Sequence, residues 1–218
     1  YQTYPQVVSD GAGGAIIAWV DQRASFRRIY VQRIDGFGNP LWTADGIPVC
    51  PSSNYQYYTP QIISDNAGGA IVVWEDARAN YEVYAQRVSP TGTLLWDAAG
   101  VRVCTVAGAK RVPQIAPDGS GGVYIAWQDE RNGNKDIYAQ GLDATGTTIW
   151  NADGIAACID VAAQESPEIA VDILGAYLIW KDMRAGNYDL YATRINANGT
   201  IPWAANGSVV CTATGTQE

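Results

Sequence analysis

The sequence predicts an all-β fold, a β-propeller of four blades with four antiparallel strands each, and three observations carry that expectation. Cys50, Cys104, Cys158 and Cys211 are separated by 54, 54 and 53 residues, and Trp42, Trp96, Trp150 and Trp203 repeat those spacings. A period of this size marks stacked or radial units, none of which buries its own apolar face alone. β-branched and aromatic residues fill short segments bounded by glycine turns, and no stretch of about ten residues keeps a 3.6-residue apolar period. Each unit therefore holds one four-stranded sheet, and radial repetition covers the edges that an open sheet exposes. The chain is expected to be a single domain over residues 1–218, with repeats at about 1–50, 51–104, 105–158 and 159–218. Half of an eight-bladed ring, or a segment of a longer array, satisfies the same period.

The second unit shows the elements in order. Thr59-Pro60-Gln61-Ile62-Ile63-Ser64 reads as a first strand, opened by a proline that has no N–H for a ladder. Asn66-Ala67-Gly68-Gly69 supplies the positive-φ positions of a tight hairpin, and residues 70–76 return as a second strand ending in Trp74-Glu75-Asp76. After a loop at 77–81, residues 83–88 alternate larger apolar with small or polar groups as a third strand. Thr91-Gly92 turns the chain, and Leu94-Leu95-Trp96 begins a fourth strand expected to continue, after a bulge at 97–100, through residues 101–104. Trp19, Trp74, Trp127 and Trp180 suit the wedge between neighbouring sheets. Tyr1-Gln2-Thr3-Tyr4-Pro5 echoes the linker Tyr55-Gln56-Tyr57-Tyr58-Thr59-Pro60, so the end of the chain is expected to join its start with little strain.

Composition narrows the function classes. Apolar residues make up 47% and charged residues 17%, and no apolar run approaches a membrane span, so no membrane insertion is expected. A net charge of −8 with three lysines argues against nucleic acid as a partner. Histidine is absent, which removes histidine-based triads and the commonest neutral metal ligand, so no metal or cofactor is expected. One cysteine per repeat is neither zinc spacing nor a bridging distance, and each is read as a small buried hydrophobe. A start at Tyr1 with no apolar leader reads as a processed chain or a domain cut from something longer.

Each unit carries Pro-(Gln/Glu)-apolar, Asp, a glycine turn, an apolar run, Trp-x-Asp-x-Arg, apolar-Tyr, a second glycine turn and a second Trp. This pattern resembles repeat-amplified bacterial extracellular β-propellers, whose blades are similar to the sialidase (BNR) type. The resemblance covers the whole chain and implies a propeller fold and secretion or display on a bacterial surface. It departs at Gly38, Gly92, Gly146 and Gly199, each four residues before the tryptophan where an Asp-box has three, so the box is not present in standard form. A sialidase-like hydrolase needs an arginine cluster, a tyrosine nucleophile with a glutamate partner, and an acid/base carboxylate.

The repeated acids and bases are assigned to folding. Asp21 and Arg23, Asp76 and Arg78, Asp129 and Arg131, and Asp182 and Arg184 leave the second strand two residues apart and pair across the loop. Asp10, Asp65, Asp118 and Asp172 precede glycine hairpins and are read as turn caps, since each loop offers one carboxylate where calcium wants six or more oxygens. Gly11-Ala12-Gly13-Gly14 has no phosphate-loop lysine and is a hairpin turn. Asp129-Glu130, and Glu165 with Glu168, are carboxylate pairs that the other units lack, read as a solvated face. The aromatic linker with Tyr55, Tyr57 and Tyr58, Tyr4 across the closure, and the loop Phe26-Arg27-Arg28 break the repeat and are the candidate binding residues. The expected function is a non-catalytic binding or scaffold propeller with a glycan or protein partner on the loop face and a possible homo-oligomeric state. A sialidase-like glycoside hydrolase or lyase, and a structural repeat of a surface adhesin, are the alternatives.

Overall fold

The computed structural model describes residues 1–23, 26–51 and 56–215, and for Tyr57 and Tyr58 the backbone alone. Blade 1 holds β1 (Gln2–Ser9), β2 (Ala15–Asp21), β3 (Arg28–Ile34) and β4 (Ile47–Pro48). Blade 2 holds β5 (Gln56–Ser64), β6 (Ala70–Asp76), β7 (Glu82–Val88) and β8 (Val101–Arg102). Blade 3 holds β9 (Lys110–Pro117), β10 (Val123–Asp129), β11 (Asp136–Leu142) and β12 (Ile155–Cys158). Blade 4 holds β13 (Gln164–Asp172), β14 (Gly175–Asp182), β15 (Asp189–Asn196) and β16 (Ser208–Cys211). Each sheet runs in chain order with antiparallel neighbours, which is the expected all-β propeller of four blades.

The apolar core lies between the sheets, as the two-sided apolar patterning of the middle strands requires. Ala18, Val20, Ile29 and Val31 of blade 1 meet Val72, Trp74 and Tyr84 of blade 2. Ile71, Val73, Val83 and Ala85 of blade 2 meet Ile125 and Trp127 of blade 3, and Ala126, Ile137 and Ala139 of blade 3 meet Leu178, Trp180 and Ile195 of blade 4. Each indole lies against a glycine of its own blade: Gly100, Gly154 and Gly207 have φ of +77°, +91° and +83°, and a Cβ there would sit 2.8, 2.8 and 2.4 Å from the ring of Trp74, Trp127 and Trp180. Positive φ and close approach both demand glycine.

Hairpins and bulges set the register. Asp10, Asp65 and Asp118 each accept two backbone N–H groups of the following turn through one carboxylate oxygen, at 2.7–2.8 Å. Every inner strand slips register against its neighbour partway along, and Tyr4, Val112 and Ser166 take positive φ there (54°, 51° and 51°). The slip turns the first residues of each inner strand toward the loop face.

Two expectations are corrected. The fourth strand does not start at Leu94: Leu94 makes one bridge to Val88, the Trp96 N–H is taken by Gln86 Oε1 at 3.0 Å, and only Val101–Arg102 pair with β7. The chain leaves the sheet because the Trp96 ring crosses to blade 3, where its indole N–H donates to the Ala144 carbonyl at 3.1 Å. Among the described residues, the last blade does not pack on the first as a closing junction either. β1 packs on β5, β5 on β9 and β9 on β13, whereas Val209 and Val210 of the last blade and Val7 of the first stay more than half exposed. The facing sides of blades 1 and 4 are thus the two ends of an open arc.

Candidate functional site

The second strands end in one recurring cluster. Asp21, Asp76, Asp129 and Asp182 each accept the indole N–H of the tryptophan two residues earlier, at 3.0, 3.1, 2.7 and 2.9 Å. The same carboxylates lie 2.6 Å from the guanidinium groups of Arg23, Arg78, Arg131 and Arg184. Those guanidinium groups cover the rings of Tyr30, Tyr84, Tyr138 and Tyr191 at 4.1, 3.9, 3.8 and 3.9 Å. Burial pushes the carboxyls of Asp76 and Asp182 up, but hydrogen bonds from the arginine and tryptophan outweigh it and hold both below the usual carboxylate range. Arg78, Arg131 and Arg184 also donate to the sulfur of Cys50, Cys104 and Cys158 in the preceding blade, at 3.3, 3.1 and 3.1 Å. The three cysteines are thus buried hydrogen-bond acceptors as well as apolar filler; burial raises the Cys104 thiol and pushes Cys158 up to about 12.

The loop face breaks this symmetry. Linkers and strand-2 to strand-3 loops adjoin there: Lys110 N–H donates to the Tyr81 carbonyl and Gln164 N–H to the Lys135 carbonyl. At the junction of blades 2 and 3, the Arg111 guanidinium covers the Tyr81 ring at 3.6 Å and stands 3.8 Å from Glu75. At the next junction the chemistry changes sign. Lys135 Nζ donates to Glu165 Oε1 at 2.7 Å, and the Glu165 carboxylate and the Tyr188 phenol bear on each other's ionisation. Burial raises Glu165, but the bonds from Lys135 and Tyr188 outweigh it and hold it below the usual range. The bond to Glu165 raises the Tyr188 phenol, and the same carboxylate raises Lys135, to which Glu130 adds. An ionised carboxylate, a neutral phenol and an ammonium therefore share one open surface.

The residues singled out from sequence fall as follows. Phe26 is 45% exposed, Arg28 stands opposite Asp21 in the β2–β3 pair, and the Arg27 carbonyl accepts the Gln56 N–H, which brings that loop beside the start of β5, where Tyr57 and Tyr58 lie. Tyr4 is 52% exposed at the β1 bulge. Tyr55 lies outside the described residues. Glu168 does not join Glu165, because the β13 bulge falls between them and leaves Glu168 among the residues of the open blade-4 face. Asp129 is engaged in the recurring cluster, while the backbone N–H of Glu130 ties the loop to Ala109. The Lys135–Glu165–Tyr188 cluster was not foreseen as a unit; its one sequence signal was a carboxylate at 165 where the neighbouring linker has Arg111.

No protein-family model and no curated protein matches the chain. Among solved structures it is similar to an α-L-arabinanase of Penicillium chrysogenum complexed with arabinobiose (TM-score 0.64, 10% identity, 99% of this chain and 68% of that one). It is also similar to an α-L-arabinofuranosidase of Fusarium graminearum (0.60, 10%, 92% and 68%) and an endo-arabinase of Bacteroides thetaiotaomicron (0.55, 12%, 96% and 81%). At these identities the likeness shows the fold. The expectation of a non-catalytic binding or scaffold module is corrected in so far as these three similar propellers are glycoside-cleaving enzymes by name. The expectation of a non-catalytic module rested on near-equivalence of the blades together with the absence of histidine; the near-equivalence describes the interblade core, while the loop face carries different chemistry at the blade 2–3 and blade 3–4 junctions.

Proposed function

We propose that the chain is a glycoside hydrolase acting on a polymeric glycan at the loop face, with its reacting groups at the junction of blades 3 and 4. The observation that carries this reading is the Lys135–Glu165 ion pair at 2.7 Å, whose carboxylate is held ionised and raises the phenol of Tyr188. In a retaining reaction of the sialidase type, a tyrosine oxygen attacks the anomeric carbon while a carboxylate takes its proton, and water then releases the sugar from that oxygen. Tyr188 supplies the nucleophile, Glu165 the base, and Lys135 keeps Glu165 charged. The aglycone oxygen leaves as the tyrosine–carbon bond forms and takes its proton from water at the open loop face. Tyr4, Phe26, Arg27, Arg28, Tyr57 and Tyr58 form the sugar-stacking surface of the same reading. A polymeric glycan substrate agrees with secretion or surface display. The names of the similar arabinanases support the substrate class.

The test is reducing-end release from arabinan, xylan and sialylated glycan. Glu165→Gln and Tyr188→Phe are each expected to lower kcat by at least about a hundredfold, and the double variant Tyr57→Ala with Tyr58→Ala to raise KM with little change in kcat. Release that both single variants leave intact, or no release from any glycan, overturns the reading.

A further inference from the structure

The two end faces of the arc are the two halves of a fourth interblade junction, and we infer that a second copy of this chain fills them head to tail, giving a closed ring of two chains and eight blades. This rests on the three junctions inside the chain and is independent of the glycan reading.

Those junctions define what each position needs. Trp42, Trp96 and Trp150 donate their indole N–H to the carbonyls of Pro90, Ala144 and Ala197 of the next blade, at 2.9, 3.1 and 3.0 Å. Trp203, the same position in blade 4, is 40% exposed where Trp96 and Trp150 are each 8% exposed. The repeat places its acceptor at Gly36, on blade 1. Val49, Val103 and Ala157 are at most 2% exposed, and Val210, their equivalent, is 56% exposed. Cys50, Cys104 and Cys158 are buried under the arginine of the next blade, whereas Cys211 is half-buried and the arginine that matches it by repeat is Arg23, the most exposed of the four. On the blade-1 side, Ile17, Trp19, Arg23 and Asp45 line an open groove of about 530 Å³, while Trp74, Trp127 and Trp180 are filled over by the preceding blade.

One pair makes the match specific. Thr105, the residue after Cys104, donates both its N–H and its hydroxyl to Asp153 Oδ1 of blade 3, at 2.5 and 2.7 Å. Ile159 N–H donates in the same way to Asn206 Oδ1, at 3.1 Å. At the first junction the position is Pro51, with no N–H to give, and the facing residue is Ala99, with no acceptor. The end faces carry Thr212 after Cys211 and Asp45 in the place of Asp153, both exposed. Asp45 has the φ of +65° that its counterparts Asp153 and Asn206 share at 63° and 61°. Donor and acceptor thus lie exposed on the two end faces of these four blades. A head-to-tail contact closes or propagates according to its rotation. Two copies give eight blades, the upper end of the usual range, and three would exceed it.

Native mass measurement and light scattering on the 218-residue chain at micromolar concentration are expected to give twice the 23.4 kDa chain mass. Asp45→Arg alters only the leading face and Val210→Glu only the trailing face. Each alone spoils both junctions of the pair and is expected to give monomer, with Cys211 reacting with a thiol reagent at least tenfold faster than in the dimer. Mixed together, the two variants regain one intact junction and are expected to form a heterodimer, which a dimer using one face twice does not predict. Unchanged circular dichroism of each variant separates lost assembly from lost folding. A monomer in the unaltered chain, open-ended oligomers, or a dimer that survives both substitutions overturns the inference.

Discussion

Asp129 illustrates how much one residue holds at a junction. Its carboxylate is fully buried and accepts from the Trp127 indole, the Arg131 backbone and the Arg131 guanidinium, so its removal leaves a cation facing a cysteine sulfur and an aromatic ring. Asp129→Ala should cost about 3–5 kcal/mol in urea unfolding, the usual penalty for breaking a buried pair. Asp21→Ala should cost clearly less, because Arg23 is 35% exposed on the open face and water replaces the lost partner. The pH response has a definite sign. Asp76 and Asp182 have folded pKa values held below the unfolded value, so their stabilisation is present above the ordinary carboxylate range and is lost as pH falls through it. Asp182→Asn should flatten the fall in unfolding midpoint as pH drops below about 4, the ordinary carboxylate value. Glu75 runs the other way: burial raises its carboxyl despite the Val112 N–H that it accepts. Gln128 occupies the same position in blade 3 and accepts the Ser166 N–H at 2.8 Å without a charge. Glu75→Gln should therefore be at least as stable as the parent at neutral pH, and an unfolding midpoint below the parent's would show that Arg111 matters more than desolvation.

At the scale of elements, what was legible in the sequence was what is local. The Asp-capped hairpins and the first three strands of a unit follow from short-range turn chemistry and alternation. The glycine under each indole was not read from the sequence, because its contact comes from another strand: with Gly154 at φ of +91° and Trp127 and the Ala139 carbonyl both 2.8 Å from a Cβ, Gly154→Ala should cost about 1–3 kcal/mol by thermal or urea unfolding. The fourth strand was misread because Leu94-Leu95-Trp96 has strand composition, while its hydrogen bonding is decided by Gln86 and by a carbonyl in the next blade. The burial of Cys50, Cys104 and Cys158 was legible, but not their arginine partners, which come from another sheet. The Lys135–Glu165–Tyr188 cluster is further still from local: it joins one loop of blade 3 with a strand and a loop of blade 4, and no spacing rule brings those three together.

For the whole molecule, repetition divides the residues by role. Groups that recur at every junction hold the sheets apart and together, and on the end faces of the arc the same groups stand more exposed. Activity is assigned to the positions where the blades differ. That division is tested most directly by making the site repeat: Lys135→Tyr with Glu165→Arg installs at the blade 3–4 junction the residues that Tyr81 and Arg111 provide at the blade 2–3 junction. The measurement is glycan hydrolysis by this double variant with its urea midpoint recorded on the same sample. A midpoint within about 0.5 kcal/mol of the parent together with loss of hydrolysis is the predicted result, since surface changes rarely exceed that. Hydrolysis retained at the parental rate would contradict the account, because the reaction would then not depend on the residues that break the repeat.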